Sequence, residues 1–190
     1  MTAENKNCPP AFGRALIAAY SYSGSTHRIA REIQAVTGGD LCTIYPWQPY
    51  PMAFPELLAQ VKKEIAAQHR PRLLPTAFLP CAYPVIFVGT PNWCGTIAPP
   101  LASWLHRNDL SGKILLPFYS HCGGVSGDLQ ADIARLCPKA DVREALGVID
   151  GDKGELRGVL KEWFQRTGLA ESPLNQAAAA TGIAILAPAK

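Results

Sequence analysis

Short apolar runs alternate with segments of helical periodicity along most of the 190-residue chain. The run at residues 15–20 is almost wholly apolar, which is typical of a strand that is buried on both faces of a sheet. After it, Ile29, Ile33 and Val36 fall on one stripe of a helix, and Gly38 is a helix stop. One strand and one helix therefore form the first unit of the pattern.

The same unit recurs down the chain. Further strands are predicted at residues 40–45, 85–88, 113–119 and 142–149, and further helices at residues 58–65, 99–105, 129–136 and 156–164. Five alternations of strand and helix predict an α/β fold, in which a doubly wound parallel sheet carries helices on both faces.

Two stretches fit this pattern less well. Residues 69–84 are rich in proline and have no clear period, so we expect them to form a surface loop. Pro117 falls within the fourth predicted strand, although a proline has no N–H to donate to a neighbouring strand. We therefore expect Pro117 at the end of that strand, where the chain leaves the sheet.

Three unusual loops follow the first, third and fourth predicted strands, at residues 20–27, 89–96 and 120–127. The carboxyl ends of parallel strands meet at one edge of a sheet, and ligands bind beyond that edge. Because independent surface turns need not all fall on one edge, the coincidence predicts a binding site there.

The first of these loops is rich in hydroxyl groups. Ser21, Ser23, Ser25 and Thr26 can each donate a hydrogen bond, and Gly24 lets the backbone approach a ligand closely. The N-terminus of the following helix favours an anion. The loop lacks the lysine of a P-loop and the glycines of a dinucleotide fingerprint, so it suits a terminal phosphate monoester. A serine-rich turn that only caps the helix remains an alternative.

The other two loops offer groups for a flat ligand. Trp93 lies on a tight backbone and is suited to stacking, unless it only covers the rim of the core. His121 and the N–H groups near Gly123 and Gly124 can bond the polar edge of a heteroaromatic ring, unless His121 is an ordinary loop histidine. A phosphate tail and a flat, hydrogen-bonding ring together describe FMN.

These loops also resemble those of the flavodoxin family, over roughly residues 14–164. That family has Ser-x-Thr-Gly-Asn-Thr after the first strand, Pro-x-Trp-Trp-Gly after the third, and a Thr-His-x-Gly-like loop after the fourth. The corresponding residues here are Ser21, Tyr22, Ser23, Gly24, Ser25 and Thr26, then Pro91, Asn92, Trp93, Cys94 and Gly95, then Ser120, His121, Cys122 and Gly123. The resemblance implies a five-stranded sheet of order 2-1-3-4-5 with FMN at the switch point, an arrangement known for flavodoxin itself.

The resemblance also implies roles for these residues. The first loop would hold the FMN phosphate, the second would lie beside the isoalloxazine, and residues 121–124 would follow its other edge. Cys94 replaces the second tryptophan of the family, which removes stacking area and places a thiol near the flavin. Cys94 and Cys122 are expected to be near neighbours. No Asp or Glu lies at residues 20–31 or 89–105, so we expect a site poor in negative charge that favours reduced flavin.

Composition bounds the class of protein. With 48% hydrophobic and 17% charged residues, the chain fits one domain, for which we expect bounds of 14–168 between an N-terminal arm (1–13) and a C-terminal tail (169–190). No secretory signal is recognisable, so a cytoplasmic location is expected. The six cysteines show neither C-x-x-C pairing nor metal-like spacing with histidine, and are interpreted as reduced thiols. A net charge of +3 without a basic run argues against nucleic acid, and no segment is long enough to span a membrane.

Three functions remain open at this point. The first is an FMN electron carrier that serves a redox partner protein or a small-molecule electron acceptor. The second is an FMN-dependent NAD(P)H oxidoreductase acting on quinone-like substrates, although no nicotinamide nucleotide fingerprint is present. The third is a binding module that has kept the fold and lost the cofactor, supported only by Cys94. The oligomeric state is not indicated.

Overall fold

The computed structural model describes residues 15–123, 127–151 and 155–169. Its strands are β1 (Leu16–Ala19), β2 (Asp40–Thr43), β3 (Val85–Trp93), β4 (Thr96–Ile97), β5 (Ile114–His121), β6 (Asp141–Val142) and β7 (Leu146–Ile149). Its helices are α1 (Ser25–Thr37), α2 (Phe54–Ala66), α3 (Pro99–Arg107), α4 (Leu129–Leu136) and α5 (Leu156–Arg166), with a short 3₁₀ helix at Pro80–Ala82. The predicted arm, and the tail beyond residue 169, lie outside the described residues.

The strands form a parallel sheet of order β2-β1-β3-β5-β6, and β7 also pairs with β5. The single strand predicted at 142–149 is two short strands that follow the same edge of β5. Counted as one, they give the predicted order 2-1-3-4-5, which is confirmed. The small strand β4 folds back antiparallel on β3.

The position expected for Pro117 is wrong, because this residue lies in the middle of β5 and pairs with Val88 of β3. On the other side of β5, β6 pairs with Ile114 and Leu115, and β7 pairs from Phe118 onward. The break between β6 and β7 therefore falls beside Pro117. A proline is tolerated there because no neighbour on that side requires its N–H group.

Two cores lie on opposite faces of the sheet. Alternate residues of β1 supply them, with Leu16 on the face covered by α2, α3 and α4 and Ile17 on the face covered by α1 and α5. Trp163 of α5 is fully buried, and its indole N–H donates to the carbonyl oxygen of Glu144 at 2.8 Å. Helices on both faces are thus confirmed.

Two strands run further than their apolar pattern predicts. β3 continues from Val88 to Trp93, and β5 continues to His121. Pro91 pairs with Ser120, so the parallel ladder extends through polar residues. Backbone pairing does not require apolar side chains, which is why the pattern placed the loop boundaries too early.

The stretch 69–84 is more ordered than a plain surface loop. Leu73 forms a β-bridge with Pro46, and Leu73 and Tyr83 are both buried.

Cys81, in the 3₁₀ helix, is disulfide-bonded, so the expectation of reduced thiols is wrong for this residue. Sequence spacing alone does not reveal such a pairing. The free thiols of the described residues are those of Cys42, Cys94, Cys122 and Cys137, whereas Cys8 lies outside them.

None of the helices in the described ranges is both long enough and apolar enough to cross a bilayer.

Candidate functional site

A cavity of about 390 Å³ lies at the carboxyl edge of the sheet, and we refer to it as the edge cavity. The loops that follow β1 and β5 and the hairpin of β3 and β4 meet there. The predicted residues that line it are Tyr22, Ser23, Pro91, Asn92, Trp93, Cys94, Ser120, His121 and Cys122. Three segments that are distant in sequence are therefore brought to one place.

The serine loop between β1 and α1 is held in shape by its own side chains. Ser21 Oγ accepts hydrogen bonds from the N–H groups of Gly24, at 3.1 Å, and His27, at 3.3 Å. Gly24 has φ 97°, a left-handed conformation that favours glycine, and no atom lies within 4 Å of the Cβ position. The first turn of α1 contains no acidic residue, so the helix N-terminus can attract an anion.

The other three hydroxyls of this loop, those of Ser23, Ser25 and Thr26, have different surroundings. Ser23 Oγ lies 3.1 Å from Ser25 Oγ, and Ser23 is exposed whereas Ser25 is half-buried. Thr26 is 1% exposed, and its Oγ1 lies 2.8 Å from Ser120 Oγ. The Thr26 hydroxyl thus ties α1 to β5, and Thr26 is not among the residues that line the cavity.

The second loop is a two-residue hairpin turn. Trp93 pairs with Thr96, and between them Cys94 and Gly95 have φ of 55° and 82°. The side chain of Asn92 supports the turn by accepting the Gly95 N–H at 2.9 Å. Positive φ at both central positions is the requirement of a type I′ turn, which explains a glycine at the second of them.

Trp93 makes T-shaped contacts with three tyrosine rings, Tyr20, Tyr22 and Tyr50, which we call the tyrosine cage. Its ring centre lies 5.5 Å from that of Tyr20, 5.9 Å from Tyr22 and 5.0 Å from Tyr50, with interplanar angles of 68° to 81°. Burial raises the pKa of Tyr20, and burial and a hydrogen bond to Glu64 raise that of Tyr50. Both phenols are therefore neutral at physiological pH, and the cage holds the tryptophan ring in one orientation.

In the third loop, His121 Nδ1 accepts a hydrogen bond from the Gly123 N–H at 3.2 Å. A neutral His121 consequently carries its proton on Nε2, where it can donate to a ligand. Gly127 packs directly on Gly95, since a Cβ at Gly127 would overlap the Gly95 carbonyl. This contact ties the third loop to the hairpin. Gly124 lies outside the described residues.

A sequence profile of the flavodoxin family matches residues 14–167. The chain belongs to the flavodoxin family. A search of curated protein sequences finds no significant match.

Solved structures share the fold of this flavodoxin-family chain. A putative flavoprotein from Bacteroides eggerthii superposes with a TM-score of 0.71 at 23% identity, over 82% of this chain and 98% of that one. A flavoprotein from Lactobacillus acidophilus, solved in complex with FMN, gives 0.64 at 16% identity, over 80% and 98%. The rubredoxin oxygen:oxidoreductase of Desulfovibrio gigas gives 0.53 at 19% identity, over 90% of this chain and 38% of that one.

Several residues that line the edge cavity of this flavodoxin-family chain were not predicted. Helix α2 supplies an apolar wall, made of Phe54, Leu57, Leu58 and Val61. The amphipathic pattern of α2 predicted its existence but not which loops it faces. The Cys94 and Cys122 thiols line the same cavity as free, exposed groups.

Asp150 also lines the edge cavity and brings to it a carboxylate that was not predicted from the sequence. Its N–H donates to the His121 carbonyl oxygen at 2.6 Å, and its Oδ1 accepts a hydrogen bond from Ser25 Oγ. Asp150 directly follows β7, so it also lies at a carboxyl strand end. Extending the strand-end argument to the last strand would have found it.

Proposed function

We propose that this chain is an FMN-binding electron-transfer protein. The observation that carries the proposal is the edge cavity, in which a hydroxyl-rich turn at a helix N-terminus and a fixed tryptophan ring meet. The Lactobacillus acidophilus flavoprotein, with the same fold, was solved in complex with FMN, which supports this cofactor. Membership of the flavodoxin family supports it further.

The donor groups of the first loop fit a phosphate monoester. Ser23 is exposed, Ser25 is half-buried with its hydroxyl donating to Asp150, and the loop around Ser21 already has its turn conformation. In our proposal these residues and Tyr22 hold the phosphate, with the first N–H groups of α1. Thr26 acts indirectly, because its buried hydroxyl is used to anchor the loop to Ser120.

The ring-binding groups lie across the cavity. Trp93 offers an aromatic surface in a fixed orientation, and His121 offers an Nε2–H to the polar edge of the ring. The flavin supplies the electron chemistry when it is bound, and the protein supplies position and electrostatics.

The mouth of the cavity has an apolar rim suited to a redox partner. Phe54 is 70% exposed and lines the cavity, and Met52, two residues before it, is 90% exposed. Exposed apolar side chains grouped at a cavity are typical of interaction sites. Electrons would enter and leave through this rim.

The second candidate function is an FMN-dependent NAD(P)H oxidoreductase acting on quinone-like substrates. The apolar wall of α2 favours it, because Leu57, Leu58 and Val61 could pack against a second flat ring beside the flavin. It uses the same residues for FMN as the carrier does.

The test begins with the visible spectrum of the purified protein and a titration of the apoprotein with FMN. Bound flavin that is released by heat should run as FMN on chromatography. Recovery of FAD, or no binding of micromolar FMN, would reject the proposal. Stopped-flow mixing of the FMN-loaded protein with NADH and with NADPH then separates the two candidates. Rapid reduction supports the oxidoreductase, and no reduction supports a carrier served by a separate reductase.

A further inference from the structure

A second cavity, of about 430 Å³, lies between the segment 70–75 and the C-terminal end of α3. Its charged and titratable lining residues are Arg70, Arg72, His106 and Arg107. We call it the basic cavity. It shares no lining residue with the edge cavity, so what it binds is independent of the proposed flavin.

The three arginines of the basic cavity have no carboxylate partner within the described part of the chain. The ion pairs found there use other arginines instead, namely Arg135, Arg143, Arg157 and Arg166. No Asp or Glu lines the cavity. Arg70 donates only to backbone carbonyl oxygens, those of Gln68 at 3.2 Å and His69 at 3.5 Å. Positive charge therefore accumulates here without internal compensation.

The dipole of α3 explains only part of this arrangement. His106 and Arg107 lie in the last turn of α3, where a cation is favourable for any helix. Arg70 and Arg72 belong to a separate segment, which approaches the helix from the loop after α2. The dipole therefore does not account for the two arginines that this second segment brings to the cavity.

The segment that carries Arg72 is held firmly. The Trp47 N–H donates to the Arg72 carbonyl oxygen at 2.7 Å, and the Leu74 N–H donates to that of Tyr45 at 2.9 Å. The Arg72 guanidinium lies 4.3 Å from the centre of the Trp47 ring. Arg72 is thus placed before a ligand arrives, which reduces the conformational entropy that binding must remove.

The lining also has an apolar part, formed by Trp47, Pro71, Leu73 and Pro75. A guanidinium stacked on an indole presents a flat surface on which an aromatic base can stack. Arginines bind phosphate oxygens through paired N–H groups. The volume lies in the range of small-molecule sites, which is about 300–1,000 Å³. We propose that the basic cavity binds a phosphorylated nucleoside, with phosphate on the arginines and the base against the Trp47–Arg72 pair.

Isothermal titration of the purified protein with ADP, pyrophosphate and adenosine tests this proposal. ADP should bind most tightly, pyrophosphate more weakly and adenosine least, and the ADP affinity should fall as salt is raised. Arg72→Gln and Arg107→Gln should each weaken ADP binding by about tenfold, the value of one charge-assisted hydrogen bond. Arg31→Gln, an equal change at an exposed position on α1, is the matched control.

Three outcomes would overturn the proposal. They are the absence of ADP binding at millimolar concentration, equal losses in Arg31→Gln and the cavity variants, and pyrophosphate binding as tightly as ADP. The last would show a simple anion site with no place for a base. FMN affinity, measured on the same variants, should not change. A failure of the flavin proposal is therefore distinguishable from a failure of this one.

Discussion

The hydroxyl of Ser25 donates a hydrogen bond to the carboxylate of Asp150, which lies 125 residues further along the chain. The contact joins the N-terminus of α1 to the segment after β7. It also places a negative charge beside the turn that we propose for the FMN phosphate. Repulsion between this carboxylate and the phosphate should therefore limit the affinity for FMN.

Asp150→Asn should tighten FMN binding by about fivefold. The reason is that repulsion between the partly solvated Asp150 carboxylate and the phosphate costs roughly 1 kcal/mol of binding free energy. The amide can still accept the Ser25 hydrogen bond, so the loop should keep its shape. Quenching of flavin fluorescence during titration of the apoprotein gives the dissociation constant. Glu162→Gln removes the same charge at an exposed position on α5 and should leave affinity unchanged. Weaker binding in Asp150→Asn would mean that the carboxylate orients Ser25 for the ligand.

Trp93→Leu should weaken FMN binding by about fivefold or more, because aromatic stacking contributes on the order of 1 kcal/mol beyond burial. The variant should also lower the unfolding temperature, since the tyrosine cage loses its central ring. FMN titration and thermal unfolding measure the two effects. Tyr45→Leu removes an exposed ring outside the cavity and serves as the control. If flavin affinity did not change, Trp93 would have only a structural role.

Cys94→Asn should raise the free energy of unfolding by roughly 1 kcal/mol, because Asn tolerates the left-handed conformation of a type I′ turn better than Cys. Cys94 has φ 55°, whereas Cys122, a free thiol of the same cavity, is not among the residues with positive φ. Cys122→Asn should therefore give no comparable gain. Urea unfolding of both variants makes the comparison. Equal effects would show that the backbone of the turn is not strained.

Stability should fall as the pH is lowered below about 6.5, in part because of His27. Burial, with the nearby charge of Arg31, lowers the pKa of His27 from 6.5, and its Nε2 lies 2.9 Å from Thr43 Oγ1. A depressed pKa in the folded state means that the unfolded chain binds the proton first. The contribution of His27 to stability is therefore complete above pH 6.5, and it is lost as the pH falls toward the folded-state pKa of this residue.

His27→Gln should flatten this dependence. Wild type and His27→Gln are compared by their urea unfolding midpoints at pH 7.5 and 5.5. These values lie about one unit above and one unit below the usual histidine pKa. His69→Gln removes an imidazole from an exposed position and controls for the substitution itself. Parallel pH curves for wild type and His27→Gln would assign the acid sensitivity to other groups.

The sequence predicts the order of elements because each strand and helix is defined by local periodicity. The helix predicted from the stripe of Ile29, Ile33 and Val36 is α1, which ends just before the predicted stop at Gly38, and the split edge strand did not disturb the topology. Gly24 could be assigned to a turn because its lack of a side chain is itself a local signal.

Contacts between distant segments could not be predicted from local periodicity. Tyr50 contacts Trp93 because the loop after β2 folds over the hairpin. The periodicity of neither segment indicates that these two rings are close. Asp150 reaches Ser25 through the pairing of β7 with β5. The residues of the three loops could be named from type and strand position, but their partners depend on tertiary packing.

The tyrosine cage has a kinetic consequence. A side chain that must be frozen on binding costs about 0.5 to 1.5 kcal/mol, and a mobile ring must first find the right rotamer. Trp93 is already positioned by Tyr20, Tyr22 and Tyr50 when the chain has folded. An arriving flat ligand therefore meets a ring that is already in place, so ordering of the Trp93 side chain should not slow its association.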